Sequence, residues 1–144
     1  VKLAASNGMY SSASIAQRKG IPHIVLAKNP KGSNNENDYQ IFYLKTTDQA
    51  NWSLTQLTFN SIADAVPDVA VDSLGKAHVV FLRGESSLGK QDGGIYYKTN
   101  RSGSWYGKRI SPGDSFFGMS SPSIAYSSNQ ILLVGLIGSY QILI

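Results

Sequence analysis

Apolar and polar positions alternate in short runs along the chain. No stretch of a dozen residues places apolar side chains three and four apart without a Gly or Pro intervening. A period of two is what a strand with one buried face requires, and a helix would need a period near 3.6. The pattern is fullest in the middle of the chain. There it predicts an inner strand over Pro67–Asp72, a tight turn at Ser73-Leu74-Gly75, a second strand over Ala77–Arg83, a third over Gly94–Asn100 and an outer strand over Ser104–Ser111.

That unit recurs. PDVAVDSLGKAHVVF (Pro67–Phe81) aligns with SASIAQRKGIPHIVL (Ser12–Leu26), which puts His78 on His23 and Gly75 on Gly20. GIYYKT (Gly94–Thr99) aligns with QIFYLKT (Gln40–Thr46), Trp105 with Trp52, and KRIS (Lys108–Ser111) with TQLT (Thr55–Thr58). A third copy opens at PSIAYSS (Pro122–Ser128). Four strands returning every fifty-odd residues is the sequence signature of a propeller blade. The expected fold is therefore all-β, a β-propeller of four-stranded antiparallel blades with about three blades in this chain.

The pattern P-S-I-A-V-D-S-x-G-x-x-H-V-V-Y … I-Y-Y-x-T … W … I-S resembles the repeats of BNR/Asp-box proteins, the sialidase-like propellers. The Asp-box is degenerate: Thr99–Trp105 keeps Thr, Gly and Trp but carries Arg101 where Asp is expected, and Thr46–Trp52 keeps Asp48 but has Ala50 in place of the glycine. In that family the box is a structural turn between third and outer strands, so it bears on fold and not on activity. The resemblance implies a secreted or periplasmic setting.

The blades are expected over residues 12–58, 67–111 and 122–144 of one domain spanning 1–144. Lys2-Leu3-Ala4 matches Gln56-Leu57-Thr58 and reads as an outer strand, while Ser139–Ile144 sits where a third strand belongs. Three blades do not close a ring, and open blade faces invite association. The chain is accordingly expected to form a homodimer, a six-bladed ring completed by exchanging the strand of residues 1–5 with residues 139–144. The rival is a piece of a longer single-chain propeller.

Composition narrows the chemistry. With no cysteine, disulfides, thiol nucleophiles and Cys-based zinc sites are excluded. The net charge of +4 is spread along the chain and forms no basic stripe with aromatic platforms, so a nucleic-acid partner is not expected. The apolar tail over 131–144 is too short and too interrupted for a membrane span. Phosphate-cradling loops and nucleophile elbows are absent, and no cofactor or metal is expected.

Candidate site residues come from positions that break the repeat. His23 and His78 are equivalent, which points to turn anchoring or packing between blades, and Trp52, Trp105, Tyr43 and Tyr97 read as blade core. The connections that differ between blades carry Tyr10, Phe116 and Phe117, and the second-to-third connections are residues 28–38 and 84–93. Aromatic rings beside short polar side chains are what a sugar requires, a ring for its apolar face and polar groups for its hydroxyls. Asp68 stands where Ser14 and Ser123 stand in the other copies, with Asp64 before it on the same face by strand periodicity. Arg83, followed by Glu85, has no basic counterpart in the first blade and could clamp a carboxylate. The ligand-binding set is thus Tyr10, Asp68, Arg83, Glu85, Phe116 and Phe117, with no catalytic residue assigned. The resemblance implies that a sialidase needs three converging arginines, a Tyr–Glu nucleophile pair and an Asp acid, which these residues do not assemble. A non-catalytic propeller binding a carbohydrate or other polar ligand is the expected function. A glycoside hydrolase, or a fragment of one, and a protein-interaction propeller are the alternatives.

Overall fold

The computed structural model describes residues 9–48, 50–84, 93–111, 121–127, 130–137 and 140–143, with backbone alone for residues 9, 132–137 and 140–143. The strands form three antiparallel meanders. The first joins β1 (Met9–Arg18), β2 (Ile21–Asn29), β3 (Gln40–Thr46) and β4 (Trp52–Gln56) in that order. The second joins β5 (Asp64–Val71), β6 (Ala77–Arg83), β7 (Gly94–Thr99) and β8 (Tyr106–Arg109). The third contains β9 (Ser123–Ser127), β10 (Gln130–Ile137) and β11 (Tyr140–Leu143). The inner strands β1, β5 and β9 lie side by side, so the sheets stack through their inner edges as blades do. Residues 1–5, 139 and 144, on which the strand exchange was expected, lie outside the described residues.

Turn chemistry sets the small drift in the repeat. Between β1 and β2 only Lys19 and Gly20 intervene, both at positive φ (51° and 77°), the geometry of a two-residue hairpin that matches strand twist. Between β5 and β6 the Asp72 N–H donates to the Lys76 carbonyl (2.9 Å), which leaves three residues in the turn, one more than in the first sheet. Asp72 Oδ1 accepts from the backbone N–H of Leu74 (2.9 Å) and Lys76 (2.8 Å), and Gly75 takes φ 75°. That extra residue is why Ser14 and Asp68 are 54 apart while His23 and His78 are 55 apart.

Alternation along each strand assigns its faces. Val25, Ala27, Ile41 and Tyr43 of the first sheet meet Val69, Ala77, Val79 and Phe81 of the second in one buried cluster, with Trp105 packed against it. Tyr43 and Trp105 meet edge-on across that seam at 5.0 Å between centroids. The other side of the second sheet packs Ala70 and Val80 on Ile124 of the third. Phe81 is 0% exposed, and truncating such a side chain to alanine costs about 3–5 kcal/mol. Lys98 adds a polar tie across the first seam, donating from Nζ to the carbonyl of Leu57.

Equivalent polar residues serve equivalent places. Thr58 Oγ1 accepts from the N–H of Ile41 (2.9 Å), and Ser111 Oγ from the N–H of Ile95 (3.1 Å), each satisfying a backbone donor beyond the ladder. His23 Nδ1 meets the Tyr43 hydroxyl at 2.5 Å, and His78 Nδ1 meets that of Tyr97 at 2.5 Å. His78 Nε2 also lies 3.4 Å from Asp72 Oδ2, which ties the second strand to its turn.

Candidate functional site at the seam of the first two blades

The connection between β2 and β3 is folded by its own short polar side chains. Asn29, fully buried, donates from Nδ2 to the carbonyls of Ser33 (2.7 Å) and Asn35 (3.3 Å) and accepts from Lys31 N–H (2.9 Å). Asn35 caps a single 3₁₀ turn over Glu36–Asp38, accepting from the N–H of Asn37 (3.1 Å). Asp38 accepts from Lys31 Nζ (2.5 Å) and Ser33 Oγ (2.6 Å), which hold its carboxyl below the usual carboxylate range. The connection from β4 to β5 is fastened to this loop. Gln40 Nε2 donates to the carbonyls of Asn60 (3.0 Å) and Ile62 (3.2 Å), and Asp64 N–H donates to Tyr39 O (2.9 Å).

The inner strands β1 and β5 each carry a bulge near their first residues, between Tyr10 and Ser12 in β1 and between Ala65 and Asp68 in β5. A bulge adds one unpaired residue and re-aims its neighbours. In β5 it contains Pro67, which has no N–H for the ladder, and Val66 at φ 44°, a left-handed conformation that a β-branched residue adopts only under constraint. Between the two bulged strand heads and the β2–β3 loop lies a cavity of about 380 Å³. Ser11, Ser33, Asn34, Glu36, Tyr39, Ala63 and Ala65 line it. It therefore offers one aromatic ring, two alanine methyls, three short polar side chains and one carboxylate.

The predicted site residues that are described, Tyr10, Asp68 and Arg83, are each engaged with a different partner. Tyr10, 41% exposed, has Lys28 Nζ 5.7 Å from its ring centroid. Its register partner Lys28 also approaches the Phe42 ring (5.6 Å), on the side of the first sheet turned away from the second. Asp68 stitches the three inner strands together. Its Oδ1 accepts from Ser14 Oγ (2.5 Å) and Val69 N–H (2.9 Å), and its Oδ2 from Ser123 Oγ (3.0 Å) and Ile124 N–H (2.9 Å). The repeat-breaking carboxylate thus accepts from the two serines that replace it in the neighbouring blades.

Arg83 grips Asp64 with two parallel bonds, Nε to Oδ1 at 2.7 Å and Nη2 to Oδ2 at 3.1 Å, and lies 4.2 Å from the Tyr96 ring centroid. Burial depresses the Arg83 pKa, but the bonds and charge of Asp64 outweigh it, and the guanidinium ends above its ordinary value. Asp64 is fully buried and also accepts from Asn60 Nδ2 (2.8 Å). The expectation that Asp64 and Asp68 share a face is corrected. Asp64 pairs with Arg83 and Asp68 with Val80, three residues apart on β6, so the bulge turns the two carboxylates to opposite faces. Glu85, Phe116 and Phe117 lie outside the described residues.

Sequence reasoning marked the β2–β3 connection as a whole but did not single out Ser33, Asn34, Glu36 or Tyr39, nor Ser11 on β1. The available signal was the density of Asn, Ser and Asp at 33–38, which folds a loop on itself; which of its side chains turn toward the seam depends on the neighbouring blade.

At the opposite end of the first sheet, Lys19, Gly20, Ile21, Pro22, Thr46, Thr47 and Asp48 border a cleft of about 230 Å³. Asp48 Oδ1 there accepts from the N–H groups of Ala50 (3.0 Å) and Asn51 (2.7 Å), and Oδ2 from Asn51 Nδ2 (2.7 Å). Led by the Asn51 N–H, these bonds hold its carboxyl down at about 2. Among the described residues no group of three or more His, Asp or Glu gathers as metal ligands, and no helix is long and apolar enough to cross a membrane.

No family model matches the chain, and no curated protein matches it in sequence. Among solved structures, the α-L-arabinanase of Penicillium chrysogenum, determined in complex with arabinobiose, aligns with 97% of this chain at a TM-score of 0.60 and 16% identity. The chain spans 44% of that chain's length. At this identity the likeness speaks to fold, and with the sheets described above the fold is all-β, a β-propeller of four-stranded antiparallel blades.

Proposed function

We propose that this chain is a non-catalytic β-propeller module that binds a carbohydrate on the loop face near the ring axis. The observation that carries the reading is the seam cavity, whose lining combines Tyr39 and two alanines with Ser11, Ser33, Asn34 and Glu36. That mixture suits a pyranose or furanose, with apolar C–H faces and a rim of hydroxyls. The arabinanase structure holds a disaccharide, which supports a glycan as the ligand class. The strands β6 and β8 lead toward the same face into the segments that carry Glu85, Phe116 and Phe117, and these residues are proposed as its outer rim. A glycan array with wild type and Tyr39→Ala tests the reading. Specific binding that Tyr39→Ala weakens at least tenfold is expected, and a protein that retains no glycan overturns it.

The arabinanase likeness also favours a second reading, glycoside hydrolysis. A hydrolytic pair of carboxylates is not offered by Asp64 and Asp68, which face opposite sides of their sheet and are each occupied by protein donors. Turnover of a chromogenic arabinoside that is lost in Glu36→Gln would favour hydrolysis over binding alone.

We further infer that the blades descend from a BNR/Asp-box repeat and that the chain associates with a second copy to complete a six-bladed ring. The Asp48 turn between third and outer strands, closed on backbone N–H groups, supports the first point. For the second, Ile15, Ile24, Leu44 and Leu54 form one cross-strand row on the side of the first sheet turned away from the second. Ile15 is 65% exposed and Leu54 54%, whereas Val69, which holds the place of Ile15 in the second sheet, is 4% exposed beneath the first. A blade from a second copy would cover that row as the first sheet covers Val69. Light scattering is expected to give twice 15.6 kDa for wild type and 15.6 kDa for Ile15→Lys/Leu54→Lys. A monomeric wild type refutes the dimer.

A further inference from the structure

The charges around the seam cavity are paired off in a way that selects among sugars. Around this end of the seam stand the cations Lys31, Arg83 and Lys98 and the carboxylates Asp38, Asp64 and Glu36. Lys98 donates its ammonium to the Leu57 carbonyl and is not among the residues that line the cavity. Lys31 Nζ is 2.5 Å from Asp38 Oδ1, and Arg83 closes a two-bond fork on Asp64. Those two pairs neutralise each other within the protein. The third carboxylate is Glu36, which is exposed, lines the cavity and has no ion-pair partner among the described residues. Lys28 sits on the far side of the first sheet, against the Tyr10 and Phe42 rings. Among the described residues the cavity wall therefore carries one negative charge and no positive one.

We propose that the seam cavity takes a neutral saccharide and discriminates against acidic ones, with Glu36 as the residue that sets the selectivity. This rests on the carbohydrate reading of the cavity. The Glu36 carboxylate is an acceptor for two sugar hydroxyls, as carboxylates are for any pair of adjacent O–H donors. The same charge repels a sialic or uronic acid carboxylate or a sulfate ester placed in the cavity. Arg83, the group best shaped to clamp a sugar carboxylate, has its Nε and Nη2 donors turned to Asp64. Releasing it would strand a fully buried Asp64.

The size of the effect follows from like charges a few ångströms apart in a half-open site, worth about five- to tenfold in affinity at low salt and less as salt rises. The test is binding of matched pairs, a neutral oligosaccharide and its uronic-acid or sulfated counterpart, to wild type, Glu36→Gln and Glu36→Lys. Glu36 is exposed in a loop braced by Asn29 and Asp38, so both variants are expected to fold, checked by far-UV circular dichroism and thermal melting. Wild type is expected to prefer the neutral member about five- to tenfold, Glu36→Gln to lose most of that preference, and Glu36→Lys to reverse it. Acidic members bound by wild type as tightly as neutral ones, or a preference unchanged in Glu36→Gln, overturn the selectivity while leaving the carbohydrate reading in place. Failure of every glycan to bind overturns both.

Discussion

Replacing Arg83 with methionine keeps a long stem against Tyr96 but strips the cation from Asp64. Asp64 is 0% exposed and would retain only the Asn60 amide as a side-chain donor. Removing one member of a buried ion pair costs about 3–5 kcal/mol, because the remaining charge has neither water nor partner. The Arg83 side chain is 17% exposed, so water already reaches the guanidinium, and the lower end, about 3 kcal/mol, applies. For a chain of this length each kcal/mol moves Tm by about 3–4 °C, so Arg83→Met should melt about 10 °C below wild type. The double variant Arg83→Met/Asp64→Leu removes both charges and should recover to within about 1 kcal/mol of wild type, since an apolar pair of similar volume demands no desolvation. Urea unfolding followed by tryptophan fluorescence reads all three proteins, and moderate salt should change the single-variant deficit little because the pair is buried. A double variant as unstable as Arg83→Met, or a single variant within 0.5 kcal/mol of wild type, roughly the spread of neutral surface changes, would refute the reasoning.

Asp68→Asn keeps the volume at the inner-strand junction but turns one acceptor oxygen into an N–H₂ group facing a backbone N–H that cannot accept. A loss of about 1–3 kcal/mol is expected, with Ser14→Ala and Ser123→Ala each costing less; a melting temperature equal to wild type would remove Asp68 from its stitching role. His23 is pressed down to about 4, chiefly by burial and secondarily by Lys45, from its ordinary 6.5. Its folded pKa lies below the unfolded one, so the unfolded chain takes the proton first. Stability is thus complete above pH 6.5 and falls as the pH drops toward 4. His78 is displaced the same way by burial, against the opposing pull of Asp72. Chemical unfolding between pH 7 and pH 4 should show this loss, and His23→Gln should make it shallower while the His78 share persists; an unchanged slope would assign the loss to other groups.

Much of the architecture was already written in local chemistry. Period-two alternation and recurring Gly, His, Tyr and Trp positions determined that the chain is all-β and that its strands return in blades, because a strand's facing is decided residue by residue. The bounds of β6 at Ala77–Arg83 coincide with the expected second strand, and β7 differs from the expected third by one residue. The equivalence of His23 with His78 likewise announced a shared structural task, which proved to be a bond to the tyrosine of the third strand. The repeat-breaking Asp68 was visible as an exception, but its partners were not, since Ser14 and Ser123 come from strands 54 and 55 residues away. The bulge at Val66-Pro67 was the decisive tertiary fact for the site. It slips the register of β5 by one and so sends Asp64 to Arg83 and Asp68 to the other face. Strand periodicity cannot foresee this, because one unpaired residue inverts every facing beyond it. The seam cavity, too, exists only where two bulged strand heads and a folded loop from different stretches of chain are brought together, and Glu36 becomes its charge-setting residue only once Lys31 and Arg83 are seen to be occupied.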